Sequence, residues 1–478
     1  MGATLLERAV EAGEARFRPQ HRGRPGSRPL RRVDRPGPVR ASRPYPENAM
    51  VYLDHAATTP VRPEVLADLT DAFGLLGNAS SLHEAGRHAR RVVEEARETL
   101  AEAMGCTPHE VVFTSGGTEA NNLALKGLYW ARNAQDPTRQ RILVSAVEHH
   151  AVLDPARWLA DHQGAVVEEL PVDSYGRLHP DTLREAIERD PASVALVSVM
   201  WANNEVGTLQ PIPELAAIAA EHGIWFHTDA VQAVGLEDID FAASGVSALT
   251  LTGHKLGGPV GVGALLLARG VDPVPVLHGG GQERDVRSGT LATPLIRGFA
   301  TAVRLAVAER EEHAAHLADL RDELVAAVRG VVPDIRVNGH PTERLPGHAN
   351  IGFPGCEGDA LLMLLDAQGI YCSTGSACSA GVSQASHVLL AMGADPDTAR
   401  ESLRFSLGRG STSADIKALA DAIGPAVARC PAGAGPPPRL TAARPSPRLL
   451  PRLAGRTRPA RVHPARAGIS APTACGWV

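Results

Sequence analysis

Lysine is nearly absent from this chain. Of 478 residues only three are lysine, Lys126, Lys255 and Lys417, and arginine supplies the rest of the fixed positive charge. The six cysteines, at 106, 356, 372, 378, 430 and 475, form no CxxC pair and show no metal-like spacing. That pattern argues against a zinc site or a disulfide framework, and it predicts reduced thiols in the cytoplasm. No apolar run reaches the ~18 residues of a membrane span. No signal-peptide pattern follows Met1. The expectation is a cytoplasmic protein with no membrane partner.

Acidic residues are missing from one region altogether. Residues 431–478 hold eight arginines and ten prolines but no Asp or Glu, and residues 1–49 hold eleven arginines against five acidic residues. These ends carry +8 and +6 in a chain of net charge −5, which leaves −19 on residues 50–430. So acidic a body argues against direct nucleic-acid binding. Neither end shows a hydrophobic period able to offset the entropy of ordering, so both read as disordered Arg/Pro-rich tails. A pair of basic arms for an anionic surface is the other reading. Met50 directly precedes Val51-Tyr-Leu-Asp, which suggests a start assigned too far upstream, and the break after Cys430 suits a frame change.

Between the tails the pattern alternates. Helical periodicity runs through Ser81–Met104, and strands read at 111–114, 141–145, 193–200, 225–227, 248–252 and 262–267, with a helix at Pro213–His222. Alternation of this kind predicts an α/β fold with a mostly parallel sheet covered on both faces. One long helix is expected over Ala300–Arg329, followed by a smaller α+β domain. The expected division is a large domain at 50–300, whose first ~12 residues pack on the small domain, and a small C-terminal domain at 301–430.

The rare lysine sits at a telling place. Lys255 follows the apolar run Ala248-Leu-Thr-Leu-Thr and precedes Leu-Gly-Gly, and Asp229 ends the run Trp225-Phe-His-Thr-Asp. Lysine after one strand and aspartate after another is the pair that pyridoxal 5'-phosphate requires. The amine forms a Schiff base, and the carboxylate keeps the pyridine nitrogen protonated. Guanidinium cannot replace an amine that must lose its proton.

Other candidates are weaker alone. Thr114-Ser-Gly-Gly-Thr-Glu stands at a strand-to-helix junction, where backbone N–H groups and a helix N-terminus favour an anion. An ordinary capped turn would look the same, but beside Lys255 it reads as a phosphate cradle. His149 follows a strand and could stack on a cofactor or shuttle a proton, or be one of a surface pair. Asn203-Asn204-Glu205 follows the strand ending at Met200-Trp201, a usual place for ligand contacts and also for a plain loop. Arg404 alternates with apolar residues in Ser402-Leu-Arg-Phe-Ser, which suits capture of a carboxylate or a strand-edge ion pair. Cys378 lies among small residues in Cys372-Ser-Thr-Gly-Ser-Ala-Cys-Ser-Ala-Gly, as a nucleophile on a loop would, whereas Cys356 and Cys372 adjoin apolar stretches.

Together these motifs resemble the NifS/IscS-type cysteine desulfurases, within the class V aminotransferase-like enzymes that use pyridoxal phosphate. The resemblance rests on Tyr52-Leu-Asp-His-Ala-Ala-Thr-Thr-Pro, Gly77-Asn-Ala-Ser-Ser-Leu-His, Ser115-Gly-Gly-Thr-Glu, Glu148-His, Asn203-Asn-Glu-Val-Gly and His227-Thr-Asp-Ala-Val-Gln. It continues through Gly253-His-Lys, His278-Gly-Gly-Gly-Gln-Glu-Arg, Arg287-Ser-Gly-Thr and Ser376-Ala-Cys. It covers residues 50–430 and implies an aspartate aminotransferase-like fold.

What the resemblance implies for the site is specific. Lys255 would hold the cofactor, Asp229 would pair with its ring nitrogen and Gln232 would bond the ring oxygen. His149 would stack on the ring. Gly117, Thr118, Thr252 and His254 would bind the phosphate, and Thr290 would reach the phosphate of the other subunit of a homodimer. Arg404 and Asn204 would hold the carboxylate of L-cysteine. Cys378 would take the sulfur as a persulfide, leaving alanine, and would pass it to an iron–sulfur scaffold or another acceptor such as the tRNA-thiolation machinery. No resident metal is implied, although Cys378 could contact a nascent iron–sulfur cluster. A selenocysteine lyase or other Cβ-eliminating enzyme is the nearest rival, and it would not strictly need Cys378. A noncatalytic scaffold is disfavoured by the presence of both Lys255 and Cys378. The family's orderly helical C-terminus is replaced here by Cys430-Pro-Ala-Gly-Ala-Gly-Pro-Pro-Pro, so scaffold docking through that end is not implied.

Overall fold

A computed structural model describes residues 50–375 and 385–430. Its centre is a seven-stranded sheet. The spatial order is Val111–Thr114, Gly263–Leu267, Ala248–Thr252, Trp225–Asp229, Val194–Ser198, Arg141–Ser145 and Val166–Leu170. Only Gly263–Leu267 runs antiparallel to its neighbours. Nearly every residue of the four inner strands from Gly263–Leu267 to Val194–Ser198 is buried, as expected of a sheet covered on both faces. The pleat divides the side chains between two layers. Val111 and Phe113 enter the core that includes helix Glu84–Ala103, while Val112 enters the core that includes helix His150–Gln163.

The edge strand Val166–Leu170 is not evident from the sequence pattern. Its Val-Val-Glu-Glu-Leu carries two carboxylates that pair outward, Glu168 with Arg141 at 2.8 Å and Glu169 with Arg157 at 2.7 Å. Charge on an edge strand hides the apolar signal and blocks further pairing.

A second core gathers Leu53, Leu317, Leu324, Ile351, Phe353, Leu361, Leu403, Phe405 and Leu419. It surrounds a three-stranded antiparallel sheet ordered Ser402–Ser406, His348–Gly352, Arg336–Asn338. The first strand, Val51–Tyr52, pairs in parallel with Ile370–Tyr371 beside this core. The helix expected as one piece over 300–329 is two, Thr293–Ala308 and Arg310–Val331. The first packs on helices Pro63–Phe73 and Glu84–Ala103, and the second packs on Ser413–Arg429. Glu309 stands at the break, ion-paired to Arg62 at 2.9 Å and also to Arg409. The chain therefore changes cores at a residue fixed by two arginines.

Candidate active site

Asp229 is the last residue of its strand, and Lys255 closes a single turn, Gly253–Lys255, after the adjacent strand Ala248–Thr252. Both thus emerge at the carboxyl ends of neighbouring parallel strands, where open α/β sheets form clefts. A cleft of about 350 Å³ opens there. Lys255, Asp229, Gln232, His149, Gly117, Thr118, Thr252, His254, Asn204 and Arg404 all line it. Two expected residues are not part of this gathering. Thr290 is exposed and outside the lining, and Cys378 lies outside the described residues.

The Asp229 carboxylate is buried and held by neutral donors. Oδ2 accepts from Asn121 Nδ2 at 2.6 Å and Oδ1 accepts from the Val231 N–H at 3.0 Å. No cation among the described residues pairs with it directly, so its charge is available to the cleft. Lys255 Nζ donates to the carbonyl of Ala57 at 2.7 Å and also to that of Ala56, in the Leu53–Thr58 segment. Gln232 Nε2 donates to the same Ala56 carbonyl at 2.8 Å.

At the other end of the cleft, Gly116 precedes the helical run Gly117–Asn122 with φ 152°, a conformation that favours glycine. That run continues without a break through the π-type stretch Leu123–Leu128 into Tyr129–Gln135. A Cβ on Gly116 would meet nothing nearer than Thr252 Oγ1 at 3.9 Å, so the space above the backbone is open. Glu119 Oε2 accepts the Ser115 N–H at 2.7 Å, which fixes the turn from outside. On the sheet side, Gly263 packs so tightly against Gly116 that a Cβ there would lie 2.9 Å from Gly116 Cα.

His149 caps helix His150–Gln163, its Nδ1 accepting the Ala151 N–H at 3.0 Å. Burial lowers its pKa, opposed by Asp229 and aided by Lys255. The ring is therefore neutral near pH 7 and carries its proton on Nε2. His254 is pushed down to about 4 by burial and by Lys255. Arg404 meets the site from the second core. Its Nη2 donates to Asp54 Oδ1 at 2.6 Å and its Nη1 to the Asn204 carbonyl at 2.9 Å. Its Nε is buried with no partner among the described residues. The strand-edge ion pair and the cleft-facing guanidinium are thus the same residue.

Further residues in and around the cleft have parts that the sequence reading did not give them. Asn121 lies four residues after Gly117 on the same helix face, and that spacing is the one clue to it. Glu205 lines the cleft, buried and raised in pKa by burial, with Ser386 Oγ donating to Oε2 at 2.5 Å. Glu148 is wholly buried, and burial pushes its carboxyl up to about 8. Its Oε1 accepts from Ser145 Oγ at 2.5 Å and from the Met200 N–H at 2.7 Å. Asn203 is structural, tying the Val147 carbonyl to the N–H groups of Glu205 and Val206.

A family model described as Aminotransferase class-V matches residues 51–419. The chain belongs to this family. An IscS-like cysteine desulfurase from Mycobacterium tuberculosis is 55% identical over 381 residues, covering 80% of this chain and 97% of that protein. Among solved structures, a NifS-like protein is similar with a TM-score of 0.73 at 34% identity, over 79% of this chain and 99% of that one. SspA, solved in complex with cysteine, is similar with a TM-score of 0.65 at 34% identity, over 76% of this chain and all of that one. Enzymes of this family group use pyridoxal phosphate, and the cleft suits it. A buried carboxylate held by neutral donors stands at one end, an open glycine turn at a helix N-terminus at the other, and a lysine lines the same cleft.

Proposed function

We propose that this chain is a cysteine desulfurase, dependent on pyridoxal phosphate, that takes sulfur from L-cysteine and releases L-alanine. The observation that carries this reading is the meeting of Lys255 and Asp229 in one cleft from neighbouring strand ends, with Arg404 entering from the second core. Pyridoxal phosphate, when bound, supplies an electron sink that weakens the substrate's Cα–H and Cβ–S bonds. Lys255 would hold it covalently and, once released, hold the Cα proton on Nζ. Asp229, kept in place by Asn121, would keep the ring nitrogen protonated. His149 would stack on the ring and offer the proton on Nε2. Gln232 would bond the ring oxygen. Gly117, Thr118, Thr252 and His254 would hold the phosphate. Arg404 and Asn204 would orient the substrate carboxylate.

Cys378 would then take the sulfur. Its thiolate forms a bond to the substrate sulfur as the Cβ–S bond breaks. Proton return to the carbon skeleton completes alanine and leaves a persulfide on Cys378. Cys356 and Cys372 are poorly suited to this step, since burial pushes both up to about 12. Thr290, exposed on its own chain, would complete the phosphate site of a second copy, so the working form would be a homodimer. The sulfur would pass to an iron–sulfur scaffold or another acceptor protein. Among the described residues no helix is long and apolar enough to cross a membrane, and the four described cysteines are free thiols, which supports a place in the cytoplasm.

Two variants test the reading. Lys255→Ala should lose the visible absorbance of bound cofactor and all alanine production. A variant that keeps the absorbance refutes the assignment of Lys255. Cys378→Ser should keep the absorbance and its response to L-cysteine but release no sulfide. Mass spectrometry of the wild type after substrate should place the added sulfur on Cys378, and finding it on Cys372 would overturn that role.

A further inference from the structure

The segment leading to Thr290 is held in a costly shape. Glu283, Arg284 and Asp285 have φ of 47°, 56° and 62°, three successive residues with side chains in the left-handed region. Such a run persists only where its surroundings over-determine it, and it clusters at functional sites. Here the determinant is a buried carboxylate. Glu283 Oε1 accepts from Arg97 Nη2 at 2.6 Å, and Oε2 accepts from Arg97 Nη1 at 2.9 Å and from the Phe113 N–H at 2.7 Å. The planar two-point pairing fixes orientation as well as position. Phe113 belongs to the strand that ends at Thr114, directly before the phosphate turn.

Two further ties hold the same segment. Arg287 grips Glu119 through Nε at 2.7 Å and Nη2 at 3.1 Å, and Glu119 is the residue that fixes the Ser115 N–H. The Gly289 N–H donates to Gln282 Oε1 at 2.7 Å, closing the loop one residue before Thr290. Glu283, Arg287, Gln282 and Thr290 all lie outside the lining of their own chain's cleft, although Glu283 and Arg287 also brace the strand and turn beside it. The strained run and the tie at Gly289 shape the segment that ends in the exposed Thr290.

We propose that Glu283 is a positioning residue that acts in trans. Through its clamp on Arg97 and Phe113 it holds Thr290 in the shape that completes the phosphate site of the second copy. This rests on the reading of the enzyme as a homodimer with shared sites. The effect is specific to the phosphate, because the loop ends in a hydroxyl donor and not in a group that meets the ring or the substrate.

Cofactor affinity, read from the absorbance of bound cofactor, tests this with no reference to turnover. Glu283→Gln should remain dimeric by sedimentation, bind pyridoxal phosphate about tenfold more weakly, the loss of one good phosphate contact, and bind unphosphorylated pyridoxal as the wild type does. Heterodimers then separate cis from trans. When a Lys255→Ala chain is paired with a Glu283→Gln chain, the remaining Lys255 faces an intact loop from its partner, and affinity should be that of the wild type. When both changes are placed on one chain and the partner is wild type, the remaining Lys255 faces the loosened loop, and affinity should fall about tenfold. Gln282→Ala, a milder change that frees Gly289, should give the same pattern if Glu283→Gln folds poorly. The reverse pattern between the two heterodimers, or an equal loss for pyridoxal, overturns the role of Glu283. A monomeric wild type overturns the shared-site reading beneath it.

Discussion

Two buried carboxylates in this molecule have opposite fates. Glu283, in the loop before Thr290, meets a guanidinium at two points and is neutralised where it lies. Asp229, at the floor of the cleft, meets only an amide and a backbone N–H. Both satisfy their hydrogen bonds, so polarity alone does not separate them. Charge does. A buried ion pair with good geometry shapes its surroundings and offers nothing outward. A buried carboxylate with neutral partners keeps a field that waits for a cation. The contrast separates a residue that builds from one that acts, and either can be altered to test it.

The largest effect is expected at Asp229. Asp229→Asn removes the charge with little change of shape, since Asn121 can turn its amide and present Oδ1, which has no partner among the described residues. Cofactor should still bind, while turnover should fall roughly 10²–10³-fold, as when a preorganised electrostatic partner is lost. A turnover within a few-fold of the wild type would show that the charge is not used. Next in size is Arg97→Met, which strands Glu283 without its cation. Unfolding should become easier by about 3–5 kcal/mol, read as a lower midpoint in denaturant with an unchanged slope. A fall no larger than that of a surface substitution would place Glu283 in the same class as Asp229.

A third change sharpens the contrast through pH. Glu148 is a carboxyl with neutral partners like Asp229, but burial holds it up to about 8, so it is protonated in the fold at neutral pH. Its raised value favours the folded state below about 4.5. That contribution fades as pH rises through about 8. The buried histidines run the other way. His227 is pushed down to about 3 and His55 to about 4, so the unfolded chain binds their protons first, and stability is lost as pH falls below the ordinary imidazole value toward those numbers. Glu148→Gln removes only the first contribution. The difference in Tm between variant and wild type should therefore shift in the variant's favour from pH 5 to pH 9. An equal difference at both ends would mean that Glu148 does not titrate with folding.

The smallest effect is expected from trimming both ends. A chain of residues 50–430 should fold, bind cofactor and desulfurate cysteine at near the full rate. The cost would be about 1 kcal/mol if the last turn of helix Ser413–Arg429 frays. Loss of solubility or of cofactor on trimming would show that an Arg/Pro-rich end belongs to the working enzyme.

What the sequence made legible follows from the range of each interaction. Lys255 and Asp229 could be placed because each follows an apolar strand by one turn at most, and strand ends in such sheets converge. Of the inner strands, Val194–Ser198 and Gly263–Leu267 were legible as nearly continuous apolar runs, as burial on both faces allows. The edge strand Val166–Leu170 was not, because its carboxylates answer to Arg141 and Arg157 at the surface. The break at Glu309 left no local mark either. One residue that holds Glu309 there, Arg62, lies 247 residues earlier in the chain. The roles of Asn121 and Glu283 were not legible for the same reason, since their partners are 108 and 186 residues away.

The contact between Gly263 and Gly116 bears on how this protein tolerates change. Gly263 begins the one antiparallel strand of the large sheet, outside the lining of the cleft, and would pass for an ordinary core position. Yet even an alanine there would press on the backbone of Gly116 and on the Leu251 carbonyl, 2.7 Å from the added carbon. The turn proposed to hold the phosphate would have to move, although a Cβ on Gly116 itself would have room. If that turn holds the phosphate as proposed, damage to cofactor retention would arrive from behind the sheet, and a survey of inactivating substitutions confined to the cleft would miss it.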